Sequence, residues 1–208
     1  MIYMISTGYS LTLCKLLKII TTMKKFNLLV IILLATFSVN AQDVKFAPLD
    51  ASPLDISYYP NKAVKSKKTD TPTAVIKVIY SRPSAKGRAI FGELIPFGEV
   101  WRVGANENTE IKFYKPVTIG GKNIPAGTYS LFAIPEKDKW TIIINKEIDL
   151  WGAYAYDETK DIARVSVPVK AVSTPIEALS IAFTNKGAVA NLVIGWDKTT
   201  VEVPITIK

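Results

Sequence analysis

From residue 74 onward, apolar and polar side chains alternate in short runs punctuated by glycine, proline and asparagine. Residues 75–80 (Val-Ile-Lys-Val-Ile-Tyr) are β-branched and aromatic and too few for a typical helix, so they predict a strand. Residues 110–119 predict another, with Ile111, Phe113 and Val117 on alternating positions. Further strands are predicted over 128–134, 140–145, 164–172, 179–184, 188–196 and 200–207; in the 164–172 run, Val165, Val167 and Val169 share one face. Gly120-Gly121 can supply the two positive φ angles of a tight hairpin. Residues 125–127, 136–139, 185–187 and 197–198 predict the other turns. Residues 146–161 do not alternate and predict a long loop with room for one helical turn. Beyond residue 41 no helical pattern of ten or more residues occurs. The expectation is an all-β fold: an antiparallel β-sandwich or barrel-like sandwich with one long irregular motif loop.

The chain before residue 74 has a different texture. Residues 1–41 hold no acidic side chain. Lys24-Lys25, the apolar run 28–37 and Val39-Asn40-Ala41 follow the order of a secretory signal, and the apolar run is shorter than the ~20 residues of a membrane span. This predicts a signal region over 1–41 with translation starting at Met23, cleavage after Ala41, export to the periplasm or beyond, and no transmembrane span in the mature chain. Residues 42–73 predict a lead-in segment and linker: Pro48, Pro53 and Pro60 interrupt it, 61–73 is charged and polar, and Ile56, Tyr58 and Tyr59 suit a short edge strand. Residues 74–208 then form the β-domain.

Composition removes several chemistries. The chain has no histidine, and its one cysteine, Cys14, lies in the signal region. The mature chain therefore has no disulfide framework, thiol nucleophile or Ser-His-Asp triad, and no histidine- or thiolate-ligated metal. There is no Gly-rich phosphate loop or nucleotide fingerprint, and no cofactor is expected. The formal charge of +8 includes Lys15, Lys18, Lys24 and Lys25; losing them leaves 22 basic residues against 18 acidic ones, a net +4 that does not suggest nucleic acid.

The chemistry that remains concentrates in residues 80–109, which are neither helix-like nor strand-like. Arg82, Arg88 and Arg102 offer planar forks for carboxylate or phosphate, and Asn106 and Glu107 stand beside them. Trp101, with Trp151 and Tyr154 from the 146–161 loop, offers aromatic faces for stacking on sugar rings. These eight residues are the candidate ligand-binding set, with a small anionic or carbohydrate ligand as the partner. Glu107, Glu110, Asp149 and Asp157 are the carboxylates available for acid–base work, which glycoside hydrolysis would require in pairs. Each group has a bland alternative: arginines pairing with Glu93, Glu99, Glu107 or backbone carbonyls, tryptophans packing in the core, and carboxylates facing solvent or serving structure. A binding module, a structural or protein-interaction domain and a carboxylate-only hydrolase all stay open.

Tyr80-Ser81-Arg82-Pro83-Ser84, Gly87-Arg88, Ile90-Phe91-Gly92 and Val100-Trp101-Arg102-Val103-Gly104-Ala105-Asn106-Glu107 resemble the signature of the family catalogued as domain of unknown function 2911. Pro125-Ala126-Gly127-Thr128-Tyr129-Ser130-Leu131-Phe132, Trp151-Gly152-Ala153-Tyr154 and Trp196-Asp197 continue the likeness, which spans about residues 74–208. The resemblance implies a secreted or envelope protein without assigned activity, and it supplies no catalytic residues.

Overall fold

A computed structural model describes residues 14–27, 43–61, 63, 73–186 and 189–208. The chain divides into two compact units, Met1–Pro48 and Leu49–Lys208. In the first, residues 14–27 are helical and exposed. No described helix is long and apolar enough to cross a membrane. The apolar run 28–37, the cleavage motif and most of the 61–73 linker lie outside the described residues.

Among its described residues the second unit holds nine strands: β1 (Leu54–Tyr59), β2 (Ile76–Ser81), β3 (Thr109–Phe113), β4 (Val117–Ile119), β5 (Lys122–Ile124), β6 (Gly127–Pro135), β7 (Lys139–Asn145), β8 (Asp161–Lys186) and β9 (Val189–Ile207). They form one antiparallel array in the order β1-β2-β3-β6-β7-β8-β9-β4-β5, so the all-β, sandwich-like expectation holds. The period-two pattern explains the core. Ile76, Val78 and Tyr80 of β2 and Ile111 and Phe113 of β3 point inward, where they join Ile181 and Phe183 of β8 and Leu192, Ile194 and Trp196 of β9. Tyr80 closes this packing with a polar tip, its hydroxyl accepting a hydrogen bond from the Ile181 N–H at 3.0 Å. Four aromatic rings fill the centre. Phe91 lies 4.7 Å from Trp140, and Trp101 stacks on Trp196 at 6.0 Å.

Ile119 pairs with Lys122 across Gly120 (φ 54°) and Gly121 (φ 78°), the two-residue hairpin expected there. Ile56, Tyr58 and Tyr59 lie in β1, at one end of the array. The loop before β8 carries a single 3-10 turn, Glu158–Lys160.

Three strand boundaries differ from expectation. The 110–119 run is two strands, because Pro116 lacks the N–H a ladder needs and the halves pair differently: β3 with β2 and β6, β4 with β5 and β9. The 164–172 and 179–184 runs are one strand, β8, whose register shifts between Ala171 and Ser180. Such bulges bend a strand without ending it. The 188–196 and 200–207 runs likewise merge into β9, where Asp197 takes φ 51° inside the strand instead of in a turn. Lys186 pairs with Val189, and residues 187–188 lie outside the described set.

Candidate functional site

The irregular 82–108 segment is stitched by backbone contacts to the sheet and to the loop before β8. Ser84 bridges to Ala178, and the Ala85 N–H donates to the Glu177 carbonyl at 2.7 Å. Trp101 and Ala133 exchange two backbone bonds at 2.7 and 2.9 Å, and Glu107 bridges to Trp151. The Thr109 N–H donates to the Arg102 carbonyl at 3.1 Å.

The three arginines serve three different sets of neighbours. Arg82 donates through Nη1 to Asp55 (2.9 Å), through Nε to the Leu179 carbonyl (3.0 Å) and through Nη2 to the Ser180 hydroxyl (2.9 Å). Arg88 donates to the carbonyls of Ala85 (2.9 Å) and Ser84 (2.7 Å) within its own loop. Arg102 is half-buried and its Nε is buried without a hydrogen-bond partner. Its Nη1 would stand 3.2 Å from a Cβ at Gly152, a tight approach at a residue whose φ of 70° already favours glycine. Among the described residues none of the three makes a salt bridge with Glu93, Glu99 or Glu107; Arg82 pairs with Asp55, and Arg82 and Arg88 both use backbone carbonyls, the other structural role expected of them.

Trp101 is a core side chain, 4% exposed, with its indole N–H on the Gly104 carbonyl at 3.3 Å. Trp151 (63% exposed) and Tyr154 (86% exposed) stand at the surface. Asn106 is half-buried and holds a left-handed backbone (φ 59°), while Glu107 is exposed. Partners in an antiparallel bridge send their side chains to the same face, so Glu107 and Trp151 are neighbours on one side.

A cleft of about 220 Å³ opens where Glu107 meets the outer face of β1, β2 and β3. Leu54 and Ile79 form its apolar floor, and Ser81, Glu107, Asn108, Glu110 and Asp149 line it. Three of the four carboxylates considered for chemistry thus converge. The fourth, Asp157, is occupied: its side chain accepts bonds from the Thr159 N–H and hydroxyl, which hold its carboxyl below the usual range. Among the described residues no three acidic side chains are disposed to hold a metal ion.

Buried amides fix the far wall. The Asn108 side chain donates to the Ser130 hydroxyl (2.6 Å) and accepts from the Leu150 N–H (2.8 Å), while its own N–H donates to the Leu150 carbonyl (3.0 Å). Ser130 donates to the Glu147 carbonyl. Asn145 donates to the Asp157 carbonyl (2.9 Å) and the Asp161 carboxylate (2.8 Å), and accepts from the Glu147 N–H (2.8 Å). A loop without a ladder of its own is thereby held at both ends, which positions Asp149 and Trp151. At the loop's end Tyr156 donates to Asp161 at 2.6 Å and accepts from Arg164 at 2.7 Å; burial, then the Asp161 carboxylate, push its hydroxyl up to about 12.

Residue reading missed Ser81 and Asn108. Both sit in or beside strands, where a polar residue looks like an ordinary outward position. Only the Tyr80-Ser81 pair within the motif marked the place.

The family described as Protein of unknown function (DUF2911) matches residues 60–205, and the chain belongs to it. No curated protein and no solved structure matches the chain.

Proposed function

We propose that this protein is an exported binding module that takes a carbohydrate in the cleft bounded by Glu107, Asn108, Glu110 and Asp149. The observation that carries the reading is the pairing of carboxylate acceptors with an exposed indole: Glu107 lines the cleft, and its bridge partner Trp151 stands beside it with most of its surface free. Carboxylate and amide oxygens accept bonds from sugar hydroxyls, and an indole face covers a sugar ring. The cleft favours the carbohydrate over the small anion, because three acidic side chains line it and no basic one does. Arg82 and Arg88, which an anion would need, already donate to protein acceptors.

The test is a thermal-shift and calorimetric screen of the purified processed chain against neutral disaccharides. A ligand at a hundredfold excess over its Kd stabilises the native state by about 2.7 kcal/mol, enough to move the melting temperature by several degrees. Trp151→Ala and Glu107→Gln should abolish that shift while leaving the unliganded melting temperature in place. Recovery of the disaccharide intact distinguishes binding from hydrolysis. No shift with any sugar, or a shift that survives both substitutions, would remove the reading. Export predicts a mature chain beginning at Gln42 by mass spectrometry.

A further inference from the structure

The cleft continues along the sheet into a second hollow of about 100 Å³, lined by Lys77, Ile79, Glu110, Lys112 and Thr128. Ile79 and Glu110 belong to both. The continuity follows from register. Ser81, Ile79 and Lys77 alternate onto one face of β2, Ile79 pairs with Glu110, and Lys77 pairs with Lys112. The groove thus has an acidic end at Glu107, Glu110 and Asp149 and a basic end at two directly opposed lysines. Like charges facing each other across a ladder are destabilising, and neither lysine has a salt-bridge partner among the described residues. Lys112 instead lies over the Tyr114 ring at 4.9 Å. At the other end Ser81 is 4% exposed and lines the cleft. Among the described residues Glu110 is the one carboxylate lining the lysine hollow and forms no ion pair with either lysine, so two cations there share a single unpaired acidic neighbour.

We propose that the ligand is an acidic sugar, with hydroxyls at the Ser81–Glu107–Glu110–Asp149 end and a uronate carboxylate between Lys77 and Lys112. This deepens the carbohydrate reading and rests on it. At about 3.3 Å per residue, Lys77 lies about 7 Å from Ile79 and about 13 Å from Ser81, the length of a disaccharide.

Calorimetry of the processed chain with cellobiose and with digalacturonate tests it, using wild type and the Lys77→Met/Lys112→Met variant, which keeps the apolar stems and relieves the repulsion. In wild type digalacturonate should bind about tenfold more tightly than cellobiose, equivalent to about 1.4 kcal/mol. The double variant should lose that advantage and keep its cellobiose affinity, and 0.5 M salt should weaken only the uronate. Equal affinities in wild type, or an advantage that persists in the variant, would overturn the acidic-sugar assignment and leave the carbohydrate reading standing. Failure of both sugars to bind wild type would overturn both.

Discussion

Arg82 and Asp55 meet at 2.9 Å, tying the start of the motif segment to the edge strand β1. The other two donors of the same guanidinium reach β8 at Leu179 and Ser180, so one side chain joins strands that are distant in sequence. Arg82→Ala is therefore a stability mutation. Three charge-assisted bonds at a half-exposed site should be worth about 2 kcal/mol together, or a fall of about 4–8 °C in melting temperature. Arg88→Ala, which frees only carbonyls of its own exposed loop, should cost under about 1 kcal/mol. Equal losses in thermal unfolding would contradict this division.

The β4–β5 hairpin makes an asymmetric prediction. Both glycines have positive φ, but a Cβ on Gly120 would meet the Val165 side chain at 3.0 Å, whereas one on Gly121 meets nothing within 4 Å. Gly121→Asn should be nearly neutral, since asparagine tolerates the left-handed region. Gly120→Val adds a clash to a strain of about 1–2 kcal/mol and should destabilise by about 3 kcal/mol. Urea unfolding of the two single variants measures the contrast.

Alternation made most of the sheet legible. Ile76, Val78 and Tyr80 point inward as their pattern requires, and Gly120-Gly121 marked its turn through the φ values glycine alone adopts freely. The length of β8 and β9 was hidden, because a bulge shifts the apolar period just as a turn would. Residues 172–178 carry proline and polar side chains while remaining in the strand, with Ile176 paired to Asp197 between two register shifts. The site was half legible. Glu107 and Trp151 stood out, but their contact joins segments 44 positions apart. Lys77 and Lys112 look like a solvated strand face until the register sets them opposite each other. Trp101 looked like a ligand face and is a core ring, because Phe91, Trp140 and Trp196 surround it.

The buried tryptophans should differ in their tolerance of phenylalanine. Trp196 donates its indole N–H to the Glu177 carbonyl at 3.3 Å, whereas the Trp140 N–H is buried without a partner. Both rings are almost wholly inside, so truncation leaves a similar void in each case. Trp196→Phe also loses a hydrogen bond worth about 1 kcal/mol, while Trp140→Phe removes an unsatisfied donor that costs about 1–3 kcal/mol. Trp140→Phe should therefore be the milder substitution by about 2 kcal/mol in chemical denaturation. The reverse order would mean that the Trp140 N–H is satisfied in solution.

Alkaline stability should depend on Tyr156. Its hydroxyl sits at about 12 in the folded chain against an ordinary value of 10.0, because burial and then Asp161 disfavour the phenolate. A folded-state value above the unfolded one means that the protonated group stabilises the fold. The contribution is complete below pH 10 and disappears as pH rises from 10 to 12. Solvent screening at this partly exposed position reduces it to about 1 kcal/mol. Tyr80 and Tyr129 are also raised by burial, so wild type loses stability across the same range for several reasons, and the informative quantity is a difference. Tyr156→Phe should be less stable than wild type at pH 8, where it lacks the bonds to Asp161 and Arg164. By pH 11.5 that gap should have narrowed, because wild type has by then given up most of what the phenol supplied. Urea unfolding of both proteins at pH 8, 10 and 11.5 measures it. A gap constant with pH would show that the hydroxyl titrates alike in the folded and unfolded chain.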